Sequence, residues 1–204
     1  EMSASLVGSE MCIRDSLKCS VLCSTASIES DSKINSRNRG AIEGKGEWTV
    51  NGDPTEVALL ISAAKGGVTA GSLSDMRKIH EIPFDSETKM MTVITRSPSG
   101  QETAYIKGAA DILLNKCAFV MTSNGEVPID RSVTDKINAE ISSLSKRALR
   151  VLALAKKEVK AGESHSGGLV FLGLAAMQDP PREEAKAAIK KCSAAHIKTV
   201  MITG

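Results

Sequence analysis

The chain has 204 residues and a formal net charge of +2, with 42% hydrophobic and 25% charged residues. That length holds one domain and part of a second, with a substantial buried core. The small net charge gives no basic field of the kind that attracts nucleic acid. The longest apolar run, Leu169 to Met177, is shorter than the ~18 residues that cross a membrane. We therefore expect a globular chain that neither binds nucleic acid nor itself spans a membrane.

The N-terminal part of the sequence is hard to place. Residues 1–15 show neither strand alternation nor a helical stripe, and they resemble a translated sequencing-adaptor fragment found in unrelated predicted proteins. We set them apart as a doubtful or non-native segment. The following residues predict a short helix over 17–28 and a polar loop over 29–47.

A helix with clear signals begins after Gly52. Asp53 is a natural N-cap, Pro54 occupies the first helical position, and Glu56 completes a capping box. An inward apolar stripe follows, and Gly66-Gly67 ends the helix.

The remainder of the chain alternates hairpin-linked strands with single helices. We predict strands over 76–84, 90–96 and 102–107, a helix over 109–115, strands over 119–122 and 126–129, a helix over 133–144, strands over 150–159 and 169–177, a helix over 182–195 and a strand over 197–202. Hairpins favour an antiparallel sheet, and only the last helix and strand have an α/β rhythm. The predicted fold class is α+β: an antiparallel sheet flanked by helices, with a short α/β piece at the C-terminus.

The chemistry-bearing side chains lie near strand ends. Phe84 follows Pro83, where it either stacks a purine or closes the core, and Lys89 either reaches back toward it or is solvated. Arg150 begins a strand and needs either a phosphate or an internal carboxylate. Glu56 either serves the helix cap or accepts a hydrogen bond from an adenine amino group. An aromatic face, an acidic partner and three cations suit adenine and a polyphosphate.

The third cation belongs to Lys107-Gly108-Ala109, where a strand ends and a helix opens. Glycine allows close approach of a ligand, and a helix start offers free N–H groups. An ordinary strand-to-helix turn explains the same residues. The five cysteines fit reduced cytosolic thiols, since no metal-ligand spacing is complete, and the three dispersed histidines form no catalytic constellation. We expect no metal site and no catalytic residue in the chain.

Six motifs in one order resemble the cytoplasmic nucleotide-binding domain of P-type cation-transporting ATPases, with the calcium-pump-like branch closest. They are Gly52-Asp-Pro-Thr-Glu56, Ile82-Pro-Phe-Asp-Ser-Glu-Thr-Lys89, Tyr105-Ile-Lys-Gly-Ala-Ala-Asp111, Leu149-Arg-Val-Leu-Ala-Leu154, Asp179-Pro-Pro-Arg182 and Met201-Ile-Thr-Gly204. The resemblance implies a nucleotide-binding domain over 16–178, then a hinge and partial phosphorylation domain, related to haloacid dehalogenases, over 179–204.

The resemblance also implies roles for single residues. Phe84 would stack on adenine and Glu56 would lie at the adenine edge. Lys107, Gly108 and Ala109 would line the pocket floor. Lys89 would face the nucleotide, and Arg150 would reach the phosphates. At the C-terminal end, a hinge and contacts with the phosphorylation domain are implied for Asp179, Arg182, Thr203 and Gly204.

Several family features are absent from this sequence: the Asp-Lys-Thr-Gly-Thr motif with the phosphorylated aspartate, the distal metal-binding aspartates, the membrane helices and the strands before the segment at Leu17. Ser86 stands where the family often has an arginine. The resemblance therefore implies an integral membrane parent that uses ATP and Mg²⁺ to pump cations, with Ca²⁺ the expected ion. This segment would bind ATP on the cytoplasmic side, without turnover, beside the parent's phosphorylation, actuator and transmembrane domains.

Two alternatives remain at this point. One is a non-catalytic regulatory or scaffold domain of the same fold, which a buried Phe84 would favour. The other is a haloacid-dehalogenase-type phosphatase, whose Asp-x-Asp motif the sequence lacks.

Overall fold

The structure of the chain is a computed structural model that describes residues 2–3, 10–30, 48–159, 167–178 and 183–200. Its strands are β1 (Met2–Ser3), β2 (Ser27–Ser30), β3 (Trp48–Asn51), β4 (Arg77–Asp85), β5 (Met90–Arg96), β6 (Glu102–Ala109), β7 (Cys117–Thr122), β8 (Gly125–Pro128), β9 (Arg150–Val159) and β10 (Leu169–Met177). Its helices are α1 (Glu10–Leu22), α2 (Pro54–Lys65), α3 (Ala110–Leu114), α4 (Arg131–Lys146) and α5 (Glu183–Ala194), with one 3-10 turn at Gly71–Leu73.

The fold is α+β, as the sequence predicts. The main sheet has the order β4-β5-β6-β9-β10-β7-β8, and β1 pairs with the end of β10. Its neighbouring strands are antiparallel except for β10 and β7, which run parallel. β2 and β3 form a separate two-stranded sheet. No helix in these described ranges is long and apolar enough to cross a membrane.

Helices cover both faces of the main sheet. On β6, Tyr105 belongs to a core that includes residues of α1 and α2, whereas Ala104 and Ile106 belong to a core with α3 and α4. This alternation is the expected consequence of successive strand residues pointing to opposite faces. β10 is buried at all nine positions, which explains why its sequence is continuously apolar.

Three parts of the chain differ from the predicted elements. α1 begins at Glu10, not at residue 17, because Cys12 and Cys19 lie buried on its inner face as small apolar residues. The same helix ends at Leu22, and residues 27–30, predicted as the end of a helix and the start of a loop, form β2, which pairs with β3. Residues 197–200 form no strand, and residues 201–202 lie outside the described part. That residues 1–15 are non-native stays a prediction.

A polar contact anchors α1 to the sheet. Lys156 Nζ on β9 lies 2.8 Å from Asp15 Oδ2, and Lys18 Nζ lies 3.2 Å from Asp15 Oδ1. Burial of the Asp15 carboxyl by itself raises its pKa, but hydrogen bonding and charge from Lys156 and Lys18 outweigh burial. The pKa of Asp15 therefore lies below its ordinary value of 3.8.

We expect Asp15→Asn to lower the free energy of unfolding at pH 7 by about 1.5–3 kcal/mol, the range for a hydrogen bond to a charged group. Since the folded-state pKa lies below the unfolded value, this stabilisation is complete above the unfolded pKa. It is lost as the pH falls through the folded-state pKa. Urea unfolding of both proteins from pH 7 into the acid range measures the difference.

The matched control is Asp135→Asn, which changes an exposed aspartate on α4 and should alter stability by less than about 0.5 kcal/mol. A difference between wild type and Asp15→Asn that stays constant into strong acid would contradict a contribution from the ionised carboxylate.

Candidate nucleotide-binding site

The residues predicted to bind nucleotide lie at or near one end of the main sheet. Here β4 and β6 end while β5 and β9 begin, because these neighbouring strands are antiparallel. The cross-strand register runs from Asp85 to Met90, from Met90 to Gly108 and from Gly108 to Ala153. Residues distant in sequence thus reach the same edge.

Phe84 lies in an irregular stretch of the outermost strand. The register between β4 and β5 shifts between Ile82 and Asp85, and such a bulge redirects side chains. The Phe84 side chain is 58% exposed, so it does not close the core. Of the two interpretations of Phe84, the core residue is therefore wrong, and the ring is accessible for stacking.

The backbone of Lys89 is held in an uncommon conformation. Its φ is 55°, in the left-handed region, and its side chain is exposed. Its N–H donates to the Asp85 carbonyl at 2.7 Å, and its own carbonyl accepts from Ala109 N at 3.0 Å. The Asp85 carboxylate accepts from Glu87 N at 2.8 Å and braces the same turn. This turn fixes where the Lys89 side chain leaves the backbone.

Position 108 has to be glycine because the neighbouring chain segment, Lys89 and Met90, packs directly against it. A Cβ at this position would lie 2.7 Å from the Lys89 carbonyl oxygen and 2.8 Å from Met90 Cγ. The close approach that the sequence suggested for a ligand is therefore made by β5. The Ala109 N–H, expected to be free, is also occupied by the Lys89 carbonyl.

Lys107 is buried and paired with a carboxylate from α2. Its Nζ lies 2.5 Å from Glu56 Oε1, and the whole residue is only 6% exposed. Met91 and Leu154 flank it on β5 and β9. A buried ammonium needs such a partner.

Glu56 does not complete the predicted capping box. The Asp53 carboxylate accepts from Thr55 N at 2.8 Å, as a cap does, but the Glu56 side chain turns to other donors. Its Oε2 accepts from Thr25 N at 2.7 Å, Thr25 Oγ1 at 2.8 Å and Ala26 N at 3.0 Å. Burial of the carboxyl raises its pKa, but Lys107 and Thr25 more than compensate, so the pKa of Glu56 lies below its ordinary value.

Arg150 joins this group through a hydroxyl. Its Nη1 donates to Thr55 Oγ1 at 2.6 Å, a partner that the sequence did not suggest. Thr55 precedes Glu56 on α2, which places Arg150 beside the Glu56–Lys107 pair. The hydrogen bond from the Thr55 side chain is the main cause that lowers the pKa of Asp53, and the charge of Arg150 adds to it.

The structure thus joins Glu56 to Lys107 through a direct side-chain contact and Arg150 to the neighbouring Thr55. Through the backbone it brings Lys89 against Gly108 and Ala109. Asp179, Arg182, Thr203 and Gly204 lie outside the described residues. Sequence reasoning missed Thr25 as a partner of Glu56, since 31 residues separate them and no local pattern links them. Over the described ranges, no group of three or more His, Cys, Asp or Glu side chains is arranged to hold a metal ion.

This α+β fold thus places an exposed aromatic, two exposed cations and the buried Glu56–Lys107 pair at one end of its main sheet. Residues 12–184 match the family described as P-type ATPase, cytoplasmic domain N, and the chain belongs to that family.

Individual relatives agree with this assignment. A calcium-transporting ATPase from Bacillus subtilis (strain 168) is 41% identical over 78% of this chain and 18% of its own length. A cation-transporting ATPase from Synechocystis is 41% identical over 82% of this chain and 19% of its length. A sodium/potassium exporting P-type ATPase from Schizosaccharomyces pombe is 36% identical over 78% of this chain and 16% of its length. The chain therefore spans less than a fifth of these curated relatives.

Proposed function

We propose that this chain is the ATP-binding part of a membrane-embedded, cation-pumping P-type ATPase, and that it acts on the cytoplasmic side. The exposure of Phe84 carries this proposal, since a stacking platform has to be accessible to a base. That exposure also favours nucleotide binding over the scaffold alternative. Ca²⁺ is the proposed ion, because relatives from more than one bacterium are named calcium-transporting ATPases.

In the proposed complex, Phe84 stacks on adenine while the cations hold the phosphates. A carboxylate has about four lone-pair positions. Three donors occupy Glu56 Oε2, and among the residues that the structure describes Lys107 is the one donor to Oε1. Oε1 therefore retains a position for the adenine amino group, a hydrogen-bond donor. The carbonyl that guanine carries at the same place would be repelled.

The phosphate side of the proposed site relies on Lys89 and Arg150. Both side chains are exposed, so they can reach a polyphosphate without leaving a buried partner. Lys107 would stand between the base and the phosphates, with Gly108 and Ala109 beneath. This division keeps the mobile charges at the phosphates and the fixed charge near the base.

The chemical step belongs to the parent protein. In the proposed pump, an aspartate of the phosphorylation domain attacks the γ-phosphorus of ATP, ADP leaves, and an aspartyl phosphate forms. This chain positions ATP and supplies no nucleophile, so we expect no turnover by the chain alone. Mg²⁺ would accompany the phosphates, and we assign it no ligand among the residues that the structure describes. Residues 179–182 stay our proposed hinge, with Thr203 and Gly204 as contacts to the phosphorylation domain.

We expect Phe84→Ala to weaken ATP binding about tenfold or more, because base stacking on an aromatic contributes ~1–3 kcal/mol. The measurement is an ATP titration followed by backbone NMR. Saturable shifts should appear around Phe84, Lys89 and Lys107 in wild type. They should require much more ATP in the variant. Since Phe84 is largely exposed, its truncation should leave the fold intact.

The matched control is Phe119→Ala, which removes a partly exposed aromatic on β7. β7 lies between β10 and β8, near the edge of the sheet opposite to β4, the strand that carries Phe84. This variant should bind ATP as wild type does. A folded wild-type chain without ATP-dependent shifts would refute the proposed function and leave the scaffold alternative.

A further inference from the structure

We infer that Thr25 is a positioning residue of the proposed nucleotide site: it fixes Glu56 Oε2 so that Oε1 holds Lys107. The inference rests on the proposed function for its consequence in ATP binding. Its structural core, the control of Glu56 by Thr25, can be tested without any nucleotide. Thr25 would contact no ligand atom, since both of its donors point to Glu56.

The contacts divide the Glu56 carboxylate into two halves. Oε2 receives two donors from Thr25, the backbone N–H at 2.7 Å and the hydroxyl at 2.8 Å, and a third from Ala26 N at 3.0 Å. Oε1 receives the ammonium of Lys107. With Oε2 held from three directions, rotation of the carboxylate is restricted and the direction of Oε1 is set.

The segment that carries Thr25 is itself firmly placed. Just before it, the buried thiol of Cys23 donates to the Tyr105 carbonyl on β6 at 3.1 Å. Just after it, Ala26 packs so closely on Gly52 that a Cβ on Gly52 would lie 2.6 Å from Ala26 Cβ. Gly52 has a φ of +121°, which favours glycine. These contacts fix the end of α1 close to the start of α2, where the Glu56 carboxylate lies.

Glu56 therefore connects three elements through one functional group: the segment after α1, the first turn of α2 and the end of β6. Lys107 is only 6% exposed, so its ammonium depends on a well-placed oxygen. Losing the Thr25 hydroxyl leaves two donors on Oε2 and lets the carboxylate turn. The charge on Lys107 then has no fixed position for a nucleotide to meet.

The test compares Thr25→Val with Thr25→Ser in the 204-residue chain. Valine keeps the shape and the backbone N–H but removes the hydroxyl, whereas serine retains the hydroxyl. The pKa of Glu56, followed by its carboxyl ¹³C signal, should rise in Thr25→Val and return toward the wild-type value in Thr25→Ser. The ATP dissociation constant should increase about three- to tenfold in Thr25→Val and recover in Thr25→Ser, as for loss of one indirect hydrogen bond.

The matched control is Thr134→Val on α4, which also removes a hydroxyl that donates a hydrogen bond, here to the Asp130 carbonyl at 3.0 Å. It should move neither readout, because α4 covers the other face of the sheet. An unchanged Glu56 titration in Thr25→Val would overturn the inference. So would a Thr25→Ser variant that behaves like Thr25→Val, since that result would show a role for the methyl group.

The two hypotheses fail in different ways. If wild type binds no ATP but Thr25→Val shifts the Glu56 titration, the proposed function is wrong and the positioning of Glu56 stands. If wild type binds ATP and the Thr25 variants change neither readout, the proposed function stands and the role of Thr25 is wrong.

Discussion

Lys107→Met is expected to lower the free energy of unfolding by about 2–4 kcal/mol, because it leaves Glu56 partly buried without its cation. The expected loss extends below the ~3–5 kcal/mol typical of broken buried pairs, since Thr25 and Ala26 still donate to Glu56. Urea unfolding at pH 7 measures it. Lys89→Met, which removes an exposed lysine, should cost less than about 0.5 kcal/mol.

A double-mutant cycle separates the pair from the packing around it. Glu56→Gln removes the negative charge that Lys107→Met leaves unpaired. The double variant should therefore lose less stability than the two single losses added together. Strict additivity of the two losses would mean that the ammonium and the carboxylate do not stabilise each other, in conflict with their contact of 2.5 Å.

Gly108→Ala is expected to lower stability by about 1–3 kcal/mol, the usual cost of forcing a group into a filled space. The new Cβ would meet the Lys89 carbonyl at 2.7 Å, and a backbone oxygen cannot yield as a flexible side chain does. Displacing that carbonyl also breaks its hydrogen bond from Ala109 N. ATP affinity should fall together with stability, since Lys89 moves with its backbone. Thermal unfolding and an ATP titration measure the two effects.

Gly71→Ala provides the comparison for Gly108→Ala. The nearest atom to a Cβ on Gly71 is Thr69 Oγ1, at an ordinary contact distance of 3.8 Å. Stability and ATP affinity should both stay close to wild type. If Gly108→Ala behaved like this control, β5 and β6 would have more freedom at the site than their contacts indicate.

The sequence predicted elements wherever a local pattern governs them. The β9 and β10 segments were predicted with the boundaries that the structure has, because an apolar stretch lies in each and a loop rich in Gly, Ser and His separates them. The first helix was missed over residues 10–16, since residues 1–15 were set apart as a doubtful segment and Cys12 was not counted as a core residue. The parallel pairing of β10 with β7 has no local signal, since it joins strands that α4 and β9 separate in the chain.

The residues of the candidate site were predictable from the sequence, but their hydrogen-bond and ion-pair partners were not. Motifs identified Phe84, Lys107 and Glu56, yet the helix cap, one of the two roles considered for Glu56, is a role that it does not serve. Its real partners, Thr25 and Lys107, lie 31 and 51 residues away, and only the folded chain brings them together. Exposure likewise depends on the whole fold, which is why the sequence left both interpretations of Phe84 open.

At Lys89, the residue that would make the folded chain most stable differs from the residue that would bind phosphate best. Glycine adopts a φ of 55° without the steric cost that a lysine bears, a difference of roughly 1 kcal/mol. Selection for thermal stability alone would therefore favour glycine at this turn, and a glycine there would remove the ammonium group of Lys89. If Lys89 binds phosphate as proposed, selection for nucleotide binding would retain lysine despite its less stable backbone conformation.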